Sequence, residues 1–404
     1  MKILFVAMSE SVHTARWIAQ IANQSWDIHL FPSYESGKSY PELKNLTIHH
    51  TLYGNQKTDK SVRKTGVPVF AENIASFGAY FLNNKMRNHR VNSLNKLIKK
   101  IKPDIVHSLE LQGAGYLVLD AKKRYKGTFP KWIATNWGSD IYLFGRLASH
   151  RDRIKETLKS CDYYSCESQR DVQLARDYGF RGITLPVFPN TGGFDLEKIE
   201  MLRKTELVTS KRRVILLKGY YGWAGRSLFG IRALERCADL LRGYEVVIYS
   251  AVTDGLAISP TIPSAVEISA ELFAQNTGIP VRIMPSNTKH IDMLKMHGRS
   301  RISIGLSISD GISTALLEAM AMGSFPIQSR TATADEWIKD SSTGLLVSPE
   351  DPDVIEKALR IALTNDDLVD LAAVENYKTV NLRLDSKLLK RQAVEYYQTV
   401  YRGK

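Results

Sequence analysis

The stretch from Arg301 to Ile327, RISIGLSISDGISTALLEAMAMGSFPI, constrains the fold of this chain more than any other. Apolar residues alternate at its start and indicate a buried strand, at Ile302, Ile304, Leu306 and Ile308. Residues 309–313 are polar and predict a turn, and residues 314–322 are good helix formers. Gly323 suits the left-handed cap of a helix, and Pro326 follows it. The stretch therefore predicts a strand, a tight turn and a helix.

A helix that begins at the carboxyl end of a strand forms an anion site. Its first N–H groups lack partners within the helix, and the helix dipole is positive there, so phosphate binds well. Asp310 lies at the turn, and Glu318 lies eight residues later on the helix. Two acids beside a phosphate are costly unless they bind something else, such as sugar hydroxyls. The alternative is an ordinary strand, turn and helix with solvated acids.

Two acids separated by seven residues, then Ala-Met-Ala-Met-Gly-Ser-Phe-Pro, resemble the motif of glycosyltransferase family 4. Its members are retaining nucleotide-sugar enzymes of GT-B fold, with the usual pattern Glu, Gly-Phe-Gly, then Glu-Ala-Met-Ala-x-Gly-x-Pro. Here Asp310 replaces the first Glu, and Gly311, Ile312 and Ser313 replace Gly-Phe-Gly. The resemblance implies that Glu318 holds ribose hydroxyls and Asp310 holds hydroxyls of the transferred sugar. The N–H groups of the three turn residues would assist at the diphosphate.

The length and cysteine content suit a two-domain protein of a reducing compartment. The 404 residues exceed one typical domain and match two of roughly 200. Cys161, Cys166 and Cys237 form neither a CxxC pair nor a metal spacing, which favours the cytosol. The apolar residues 1–7 could pass for a short signal sequence, but the polar residues after them favour a first buried strand. Since no apolar run reaches the length of a membrane span, we expect a cytoplasmic protein.

The formal net charge of +13 attracts phosphates in nucleic acid, anionic lipid or nucleotides. No base-reading module is visible, so nucleic acid is not expected as a partner. The segment from Lys85 to Lys102 predicts an amphipathic helix with the cations Lys85, Arg87, Arg90, Lys96, Lys99, Lys100 and Lys102. It is either a core-facing helix with a solvated charged face or a patch that docks peripherally on the anionic inner face of the plasma membrane.

Strands and helices alternate along the chain, which indicates doubly wound parallel sheets. Besides the strand of the opening stretch, we predict strands at 2–8, 26–31, 46–50, 104–107, 132–135, 163–165, 183–188, 213–218, 244–250 and 281–284. Residues 32–68 are otherwise polar and poorly periodic, and a helix is predicted over Phe70–Tyr80.

The fold class expected with the resemblance is α/β of the GT-B type, two Rossmann-like domains facing across a cleft. A glycine-rich break at 189–195 marks the interdomain linker. Residues 1–192 would form the acceptor-binding domain, joined by a C-terminal helix at 386–404, and residues 193–385 the nucleotide-sugar-binding domain.

Candidate acceptor residues follow the strands of the N-terminal domain, because ligands bind at the carboxyl ends of such strands. We expect His13, His107 and Glu110 to face the cleft, although His13 could equally be a helix-start residue without a ligand. Asn136 and Asp140 are further candidates, and Asp140 could equally cap the next segment. Trp137 stands where many family members have a His, so the role of that His is not transferred.

In the family, an Arg and a Lys after the first strand of the second domain bind the donor diphosphate. Arg226 and Lys218 are the matching cations here, although Arg226 could be a surface residue of a turn. Fixed cations stabilise the charge that the diphosphate gains as its bond to the sugar breaks. The nucleobase rests in the family on backbone groups near the position of Met284. We expect a UDP- or GDP-linked sugar as co-substrate, no cofactor and no metal.

The resemblance implies retaining transfer of a hexosyl-type sugar to an acceptor hydroxyl, without an enzymic nucleophile. The basic helix and the habit of the family favour a glycan or lipid-linked acceptor in cell-surface polysaccharide or glycolipid synthesis. Two alternatives stay open. One is a nucleotide-sugar epimerase or hydrolase of GT-B fold, which needs an acid–base pair and no acceptor. The other is a non-catalytic partner that binds sugar or nucleotide.

Overall fold

The computed structural model describes residues 1–54, 58–69, 87–251 and 263–403. These residues form two compact units, one of residues 1–192 with 386–404 and one of residues 193–385. Each unit is built on one parallel β-sheet. The helix predicted over Phe70–Tyr80 lies outside the described residues.

The N-terminal unit contains an eight-stranded parallel sheet. Its strands are β1 Lys2–Ala7, β2 Asp27–Pro32, β3 Leu46–Gly54, β4 Val62–Val69, β5 Ile105–Leu109, β6 Lys131–Thr135, β7 Tyr163–Ser165 and β8 Ile183–Thr184. Their order in the sheet is β4-β3-β2-β1-β5-β6-β7-β8. The α-helices of this unit are Val12–Ala19, Arg87–Ile101, Tyr116–Arg124, Ser139–Tyr142, Ala148–Ser160, Gln169–Asp177 and Ser386–Arg402.

The C-terminal unit contains a six-stranded parallel sheet. Its strands are β9 Val214–Lys218, β10 Glu245–Tyr249, β11 Val281–Ile283, β12 Ser300–Gly305, β13 Phe325–Ser329 and β14 Leu345–Val347. Their order is β11-β10-β9-β12-β13-β14. The α-helices of this unit are Leu196–Arg203, Ser227–Arg236, Ala265–Thr277, His290–Arg299, Thr314–Met322, Pro352–Thr364 and Asp366–Arg383.

Each sheet reverses its strand order at one place. In the N-terminal unit the reversal lies between β1 and β5, where Ile3 pairs with Ile105. In the C-terminal unit it lies between β9 and β12, where Leu217 pairs with Ile304. Open α/β sheets bind ligands at such a reversal, outside the carboxyl ends of the strands. The segments after β1, β5, β9 and β12 are therefore the candidate ligand-binding segments of the fold.

Two of the four strands next to these reversals are buried from end to end. Every residue of β5 and β12 is buried, including the polar His107 and Ser303. Parallel strands covered on both faces have this pattern, because helices pack on either side. Each fully buried Ile or Leu contributes about 1.5–3 kcal/mol to folding. Burial therefore stabilises β5 and β12, the strands from which the two following loops begin.

The terminal helix Ser386–Arg402 belongs to the N-terminal unit through buried polar contacts. Trp17 Nε1–H donates to Tyr397 Oη at 2.6 Å, and His107 Nδ1 lies 2.7 Å from the same oxygen. His107 Nε2 lies 2.6 Å from Thr135 Oγ1, and burial lowers the pKa of His107 to about 3. The expectation that His107 faces a ligand is therefore wrong, because its ring is enclosed between the sheet and the terminal helix.

The basic helix is observed as Arg87–Ile101, and Lys85 lies outside the described residues. Lys96, Lys99, Lys100 and Lys102 are exposed along or just after it. Arg90 is only 3% exposed; its guanidinium donates to Pro32 O and lies 3.7 Å from Glu35 Oε2. The assignment of Arg90 to the exposed basic face is therefore wrong, because its charge is used inside the unit.

Two strands differ from the sequence prediction for identifiable reasons. β4 was not predicted, because this edge strand is mostly solvent-accessible and carries Arg63, Lys64 and Pro68 instead of an apolar alternation. The strand predicted over 183–188 is only two residues long. Pro186 has no N–H to donate, so the ladder ends after Leu185 N–H reaches Tyr164 O.

Candidate active site

The segment after β12 forms the turn and helix predicted from the sequence. The helix Thr314–Met322 has its predicted bounds, and Gly323 caps it with a φ of +77° and an N–H bond to Ala319 O. Ser313 is the residue before the helix, but its side chain makes no capping hydrogen bond within the described chain. The first N–H groups of this helix therefore lack the side-chain acceptor that usually satisfies them.

Two buried hydroxyls lie in the same turn without a partner. Ser309 is 3% exposed and Ser313 is 5% exposed, and neither Oγ makes a hydrogen bond to the part of the chain that is described. An unpaired buried polar group costs about 1–3 kcal/mol. Because both hydroxyls adjoin an uncapped helix start, the turn has the donors that an oxyanion such as phosphate needs.

Asp310 and Gly311 are fixed from within the turn and from a neighbouring segment. Gly311 N–H donates to Asp310 Oδ1 at 2.9 Å, and Thr333 Oγ1–H donates to Gly311 O. Asp310 is partly buried, and Ile312 is buried beside it. The Asp310 carboxyl is therefore held in the turn by the next N–H group, and its remaining lone pairs suit it to bind hydroxyls.

The loop after β9 is hydrogen-bonded to the segment after β12. Arg226 N–H donates to Leu306 O at 3.0 Å, and Ile308 N–H donates to Ala224 O at 2.9 Å. Lys218 is the last residue of β9 and is half-buried. Both predicted cations thus belong to the same edge as the Asp310 turn.

The Arg226 guanidinium already has protein partners. Its Nε donates to Glu350 Oε1 at 2.6 Å, and its Nη1 donates to the carbonyls of Gly222 and Gly225, both at 2.9 Å. These bonds brace the loop after β9. A diphosphate would have to share this guanidinium with the Glu350 carboxylate, and a diphosphate role for Arg226 stays a prediction.

Met284 directly follows β11 and is held in the sheet. Its N–H donates to Ile248 O at 2.8 Å, and its side chain packs in a buried cluster with Tyr249 and Met296. The N–H is thus occupied by the sheet. A nucleobase contact at this position stays a prediction.

Glu318 lies in the middle of the helix, only 7% exposed, against two histidines that the sequence analysis did not single out. His290 Nε2 lies 2.8 Å from Glu318 Oε1, and His297 Nε2 lies 3.4 Å from Oε2. Burial would raise the pKa of Glu318, but the two imidazoles outweigh burial and lower it to about 2. A signal is present in the sequence, since the two histidines are seven residues apart, a spacing that puts them on one face of the helix His290–Arg299.

Glu110 and Asp140 come together at the carboxyl ends of β5 and β6. Asp140 Oδ2 accepts from Leu111 N–H at 3.0 Å, and its Oδ1 accepts from Trp137 N–H at 2.8 Å. Glu110 accepts from the N–H groups of Gly113, at 2.7 Å, and Ala114. Asp140 therefore ties two loops together and does not cap the short helix at 139–142, whose N-cap is Gly138.

The two carboxyls of this pair have raised pKa values. Burial raises the pKa of Glu110 to about 7. Burial, and then the charge of Glu110, raise the pKa of Asp140 to about 8. The backbone of Glu110 is also strained, with φ 77° and ψ 155°, a conformation that costs about 1–3 kcal/mol and is frequent at functional sites. The pair can therefore exchange protons near neutral pH.

Asn136 and His13 have different surroundings. Asn136 is fully buried; its Nδ2 donates to Asp171 Oδ2 at 2.8 Å, and its Oδ1 accepts from Tyr164 Oη. His13 is exposed near the start of its helix, with its ring centroid 5.4 Å from that of Trp137. Asn136 thus fixes the helix Gln169–Asp177 to β6, whereas His13 remains accessible. Acceptor roles for both stay predictions.

The described residues contain neither a metal-binding cluster nor a membrane-spanning helix. Outside the gaps at 55–57, 70–86 and 252–262, no group of three or more His, Cys, Asp or Glu side chains could hold a metal ion. Over the same ranges, no helix is both long enough and apolar enough to cross a bilayer.

Two family models of glycosyltransferases match the chain. Residues 2–67 and 78–168 match the model described as Glycosyl transferase 4-like. Residues 268–378 match the model described as Glycosyl transferases group 1, and this match includes Asp310, Glu318 and both histidines. No curated protein sequence matches the chain significantly.

Solved structures share the architecture along the whole chain. Sucrose-phosphate synthase from Thermosynechococcus elongatus is 13% identical, with 100% of both chains covered and a TM-score of 0.69. The Anabaena protein HepE in complex with UDP-glucose is 14% identical, with 99% of this chain and 100% of that chain covered and a TM-score of 0.65. A lipopolysaccharide outer core galactosyltransferase is 16% identical, with 100% of this chain and 99% of that chain covered and a TM-score of 0.62.

At these identities the likeness to solved structures concerns the fold, which is the GT-B arrangement of two Rossmann-like domains. The two family matches cover a large part of each unit and concern the sequence itself. Taken together, the family matches and the fold support a GT-B glycosyltransferase.

Proposed function

We propose that the chain transfers a sugar from a nucleoside-diphosphate sugar, UDP- or GDP-linked, to an acceptor hydroxyl with retention of anomeric configuration. The observation that carries this proposal is the turn after β12. It combines an uncapped helix start, two buried hydroxyls without a partner in the described chain, and two carboxyls, Asp310 and Glu318. Phosphate suits the first two features, and sugar and ribose hydroxyls suit the carboxyls.

The roles in the C-terminal unit follow from this chemistry. Glu318 stays ionised because its pKa is about 2, so it accepts hydrogen bonds from ribose hydroxyls. Asp310 accepts from hydroxyls of the transferred sugar. The N–H groups of Ile312 and Ser313, with Arg226 and Lys218, stabilise the diphosphate as it gains charge. The Gly311 N–H donates to Asp310 Oδ1 and joins them only when that bond is released. The base lies near the backbone at Met284.

The reaction is proposed to need neither an enzymic nucleophile nor a metal. The leaving diphosphate takes the proton of the acceptor hydroxyl on the face from which it departs, and the new bond forms on that face. Cationic side chains and helix N–H groups supply the charge stabilisation that a divalent ion gives in other enzymes. The sugar therefore keeps its anomeric configuration.

The acceptor is assigned to the N-terminal unit, near His13, Glu110, Asn136 and Asp140. A glycan or lipid-linked acceptor in surface polysaccharide or glycolipid synthesis is supported by the likeness to a lipopolysaccharide galactosyltransferase. The exposed Lys96, Lys99, Lys100 and Lys102 would bring the protein to an anionic membrane on its cytoplasmic face, each contributing about 1 kcal/mol. Vesicle pelleting at low and high salt tests this, and no binding at low salt would contradict it.

A nucleotide-sugar hydrolase or epimerase is the second candidate, favoured by one observation. Such enzymes need an acid and a base, and the Glu110–Asp140 pair has pKa values of about 7 and 8. The two functions differ in their need for an acceptor. Turnover of a nucleotide sugar without any acceptor, at a rate that no added glycan increases, would favour the hydrolase or epimerase.

A thermal-shift screen against nucleoside diphosphates and common nucleotide sugars tests the proposal first. A ligand that binds only the folded state raises its stability. We expect one nucleotide series to raise the melting temperature, with inorganic sulfate at equal ionic strength as the control. A folded sample that responds to none of these ligands would favour a non-catalytic partner.

A further inference from the structure

The two imidazoles that hold Glu318 differ in their surroundings. His290 and His297 are seven residues apart on the helix His290–Arg299, which is almost two turns, so they lie on one face. His297 is completely buried, and its Nδ1 lies 3.0 Å from Ser303 Oγ. The His290 side chain is 46% exposed at the first residue of the helix. One carboxylate is thus held by a fixed imidazole and by an accessible one.

The protonation of these groups follows from the acceptor they share. Because the pKa of Glu318 is about 2, its carboxylate only accepts hydrogen bonds. The 2.8 Å bond to Glu318 Oε1 must therefore come from a proton on His290 Nε2. Ser303 Oγ lies 2.7 Å from Ser324 Oγ, so the serine pair can donate to His297 Nδ1 while His297 Nε2–H faces the carboxylate.

This arrangement leaves acceptor capacity on the carboxylate. Each oxygen has two lone pairs. The imidazole of His290 uses one pair on Oε1, and His297 lies 3.4 Å from Oε2. Two adjacent hydroxyls of a ribose can use the remaining pairs, provided that the carboxylate plane is held in one orientation before the ligand arrives. Such preorganisation strengthens binding because less freedom is lost on association.

We propose that His290 is a positioning residue that orients Glu318 towards the ribose hydroxyls of the donor nucleotide, and so makes the site selective for ribonucleotides over deoxyribonucleotides. This inference rests on the proposed function and extends it, because His290 lies outside the motif that carries Asp310 and Glu318. A histidine that only stabilised the fold would affect ribo- and deoxyribonucleotides equally. The ratio of the two dissociation constants therefore separates the two roles.

The experiment measures, by calorimetry, the Kd of a nucleoside diphosphate and of its 2′-deoxy form, in the UDP and GDP series. The proteins are the wild type, His290→Ala, His290→Gln, and the control Lys295→Ala at an exposed residue of the same helix. We expect the wild type and the control to prefer the ribose form at least about tenfold, the loss typical of one bond to a charged group. His290→Ala should reduce this preference to within about threefold. His290→Gln retains a donor and should restore most of it.

The possible failures are distinguishable. An unchanged ratio in His290→Ala, or an equal loss for both nucleotides, would overturn the role of His290 and leave the proposed function intact. A wild type that binds the ribose and deoxyribose forms equally would also overturn the role of His290. A wild type that binds no nucleotide would overturn the proposed function itself. If His290→Ala does not fold, the pair His290→Gln and His290→Asn decides, because the shorter Asn amide cannot span the same distance and should lose the preference that Gln keeps.

Discussion

Glu318 in the C-terminal unit and the Glu110–Asp140 pair in the N-terminal unit are carboxyls withdrawn from solvent, Glu110 only in part, and their pKa values are shifted in opposite directions. The pKa of Glu318 is about 2, because two imidazoles outweigh the effect of burial. Burial raises the pKa of Glu110 to about 7 against the N–H groups that it accepts from. Burial first, and then the charge of Glu110, raise the pKa of Asp140 to about 8. All three acids belong to segments that follow strands of their sheets.

Burial raises the pKa of all three acids, and only the two imidazoles beside Glu318 reverse its effect. Imidazole neighbours keep Glu318 a permanent acceptor, which suits the recognition of hydroxyls. Glu110 and Asp140 lack such a cationic partner among the described residues, so burial keeps their pKa values near neutral pH, which suits proton exchange with an acceptor.

The first prediction concerns the carboxylate of Glu318, which is replaced by an amide. Glu318→Gln should weaken nucleoside diphosphate binding about ten- to hundredfold, because an amide offers one acceptor oxygen and turns a donor towards the ribose. Calorimetric titration measures the change. Glu271→Gln, at an exposed position of the helix Ala265–Thr277, is the matched control. Equal affinity in Glu318→Gln and the wild type would contradict a role for the Glu318 carboxylate in nucleotide binding.

The second prediction concerns pH and stability in the N-terminal unit. The pKa of Glu110 is raised from 4.5 to about 7, so between these values the folded state binds more protons than the unfolded state. Stability from this group is therefore present at low pH and is lost as the pH rises through about 7. Glu110→Gln cannot ionise, so relative to the wild type it should gain on the order of 1–2 kcal/mol between pH 5 and pH 8.

Denaturant unfolding of both proteins at pH 5 and pH 8 measures this gain. Glu318 has the opposite sign: its pKa is lowered to about 2, so its contribution is present above its unfolded value near 4.5 and is lost as the pH falls towards 2. If the unfolding free energies of Glu110→Gln and the wild type depend on pH in the same way, the pKa of Glu110 is not raised and its environment does not differ from that of Glu318 as proposed.

The third prediction separates ligand binding from stability at two serines near helix starts. Ser313→Ala should weaken nucleotide binding about threefold to tenfold without lowering the unfolding free energy, and should raise that free energy by up to about 1–3 kcal/mol, because it removes a buried hydroxyl that has no partner in the described chain. Ser227→Ala should instead cost about 1 kcal/mol, because the Ser227 hydroxyl donates to Gly219 O at 3.0 Å. Equal destabilisation of both variants would contradict the proposed anion site.

The smallest expected effect is that of a chelator. We expect transferase activity in excess EDTA to stay within about twofold of the untreated enzyme, since fixed cations and helix N–H groups are proposed to stabilise the diphosphate. Assays with and without added Mg²⁺ check the result. Loss of activity in EDTA that Mg²⁺ restores would show that the diphosphate is bound through a divalent ion.

The fold was more predictable from the sequence than the site was. The motif at 301–327 defined the strand and gave the bounds of the helix, because apolar periodicity and a glycine cap act locally. The edge strand β4 was missed, because an exposed strand with a proline does not show that periodicity. The partners of Glu318 were missed for another reason. Their spacing along the helix is visible, but only tertiary packing brings that face against the motif.

Several site residues that were predicted from the family resemblance are hydrogen-bonded to residues outside the motifs. The Arg226 guanidinium is bonded to Glu350, far along the chain, and the Asn136 amide is occupied by Tyr164 and Asp171. His107 was expected beside a ligand and is instead buried against Tyr397 of the terminal helix. Such contacts between distant segments decide whether a polar side chain is available, and a single sequence does not reveal them.

Hydrogen exchange measured by mass spectrometry, with and without a saturating nucleoside diphosphate, tests the central claim most directly. Bound diphosphate should engage the first N–H groups of the helix Thr314–Met322 and slow their exchange. We predict protection in peptides spanning residues 306–322 and none in peptides spanning residues 105–115. Protection confined to the N-terminal unit, with the 306–322 peptides unchanged, would contradict a donor site in the C-terminal unit.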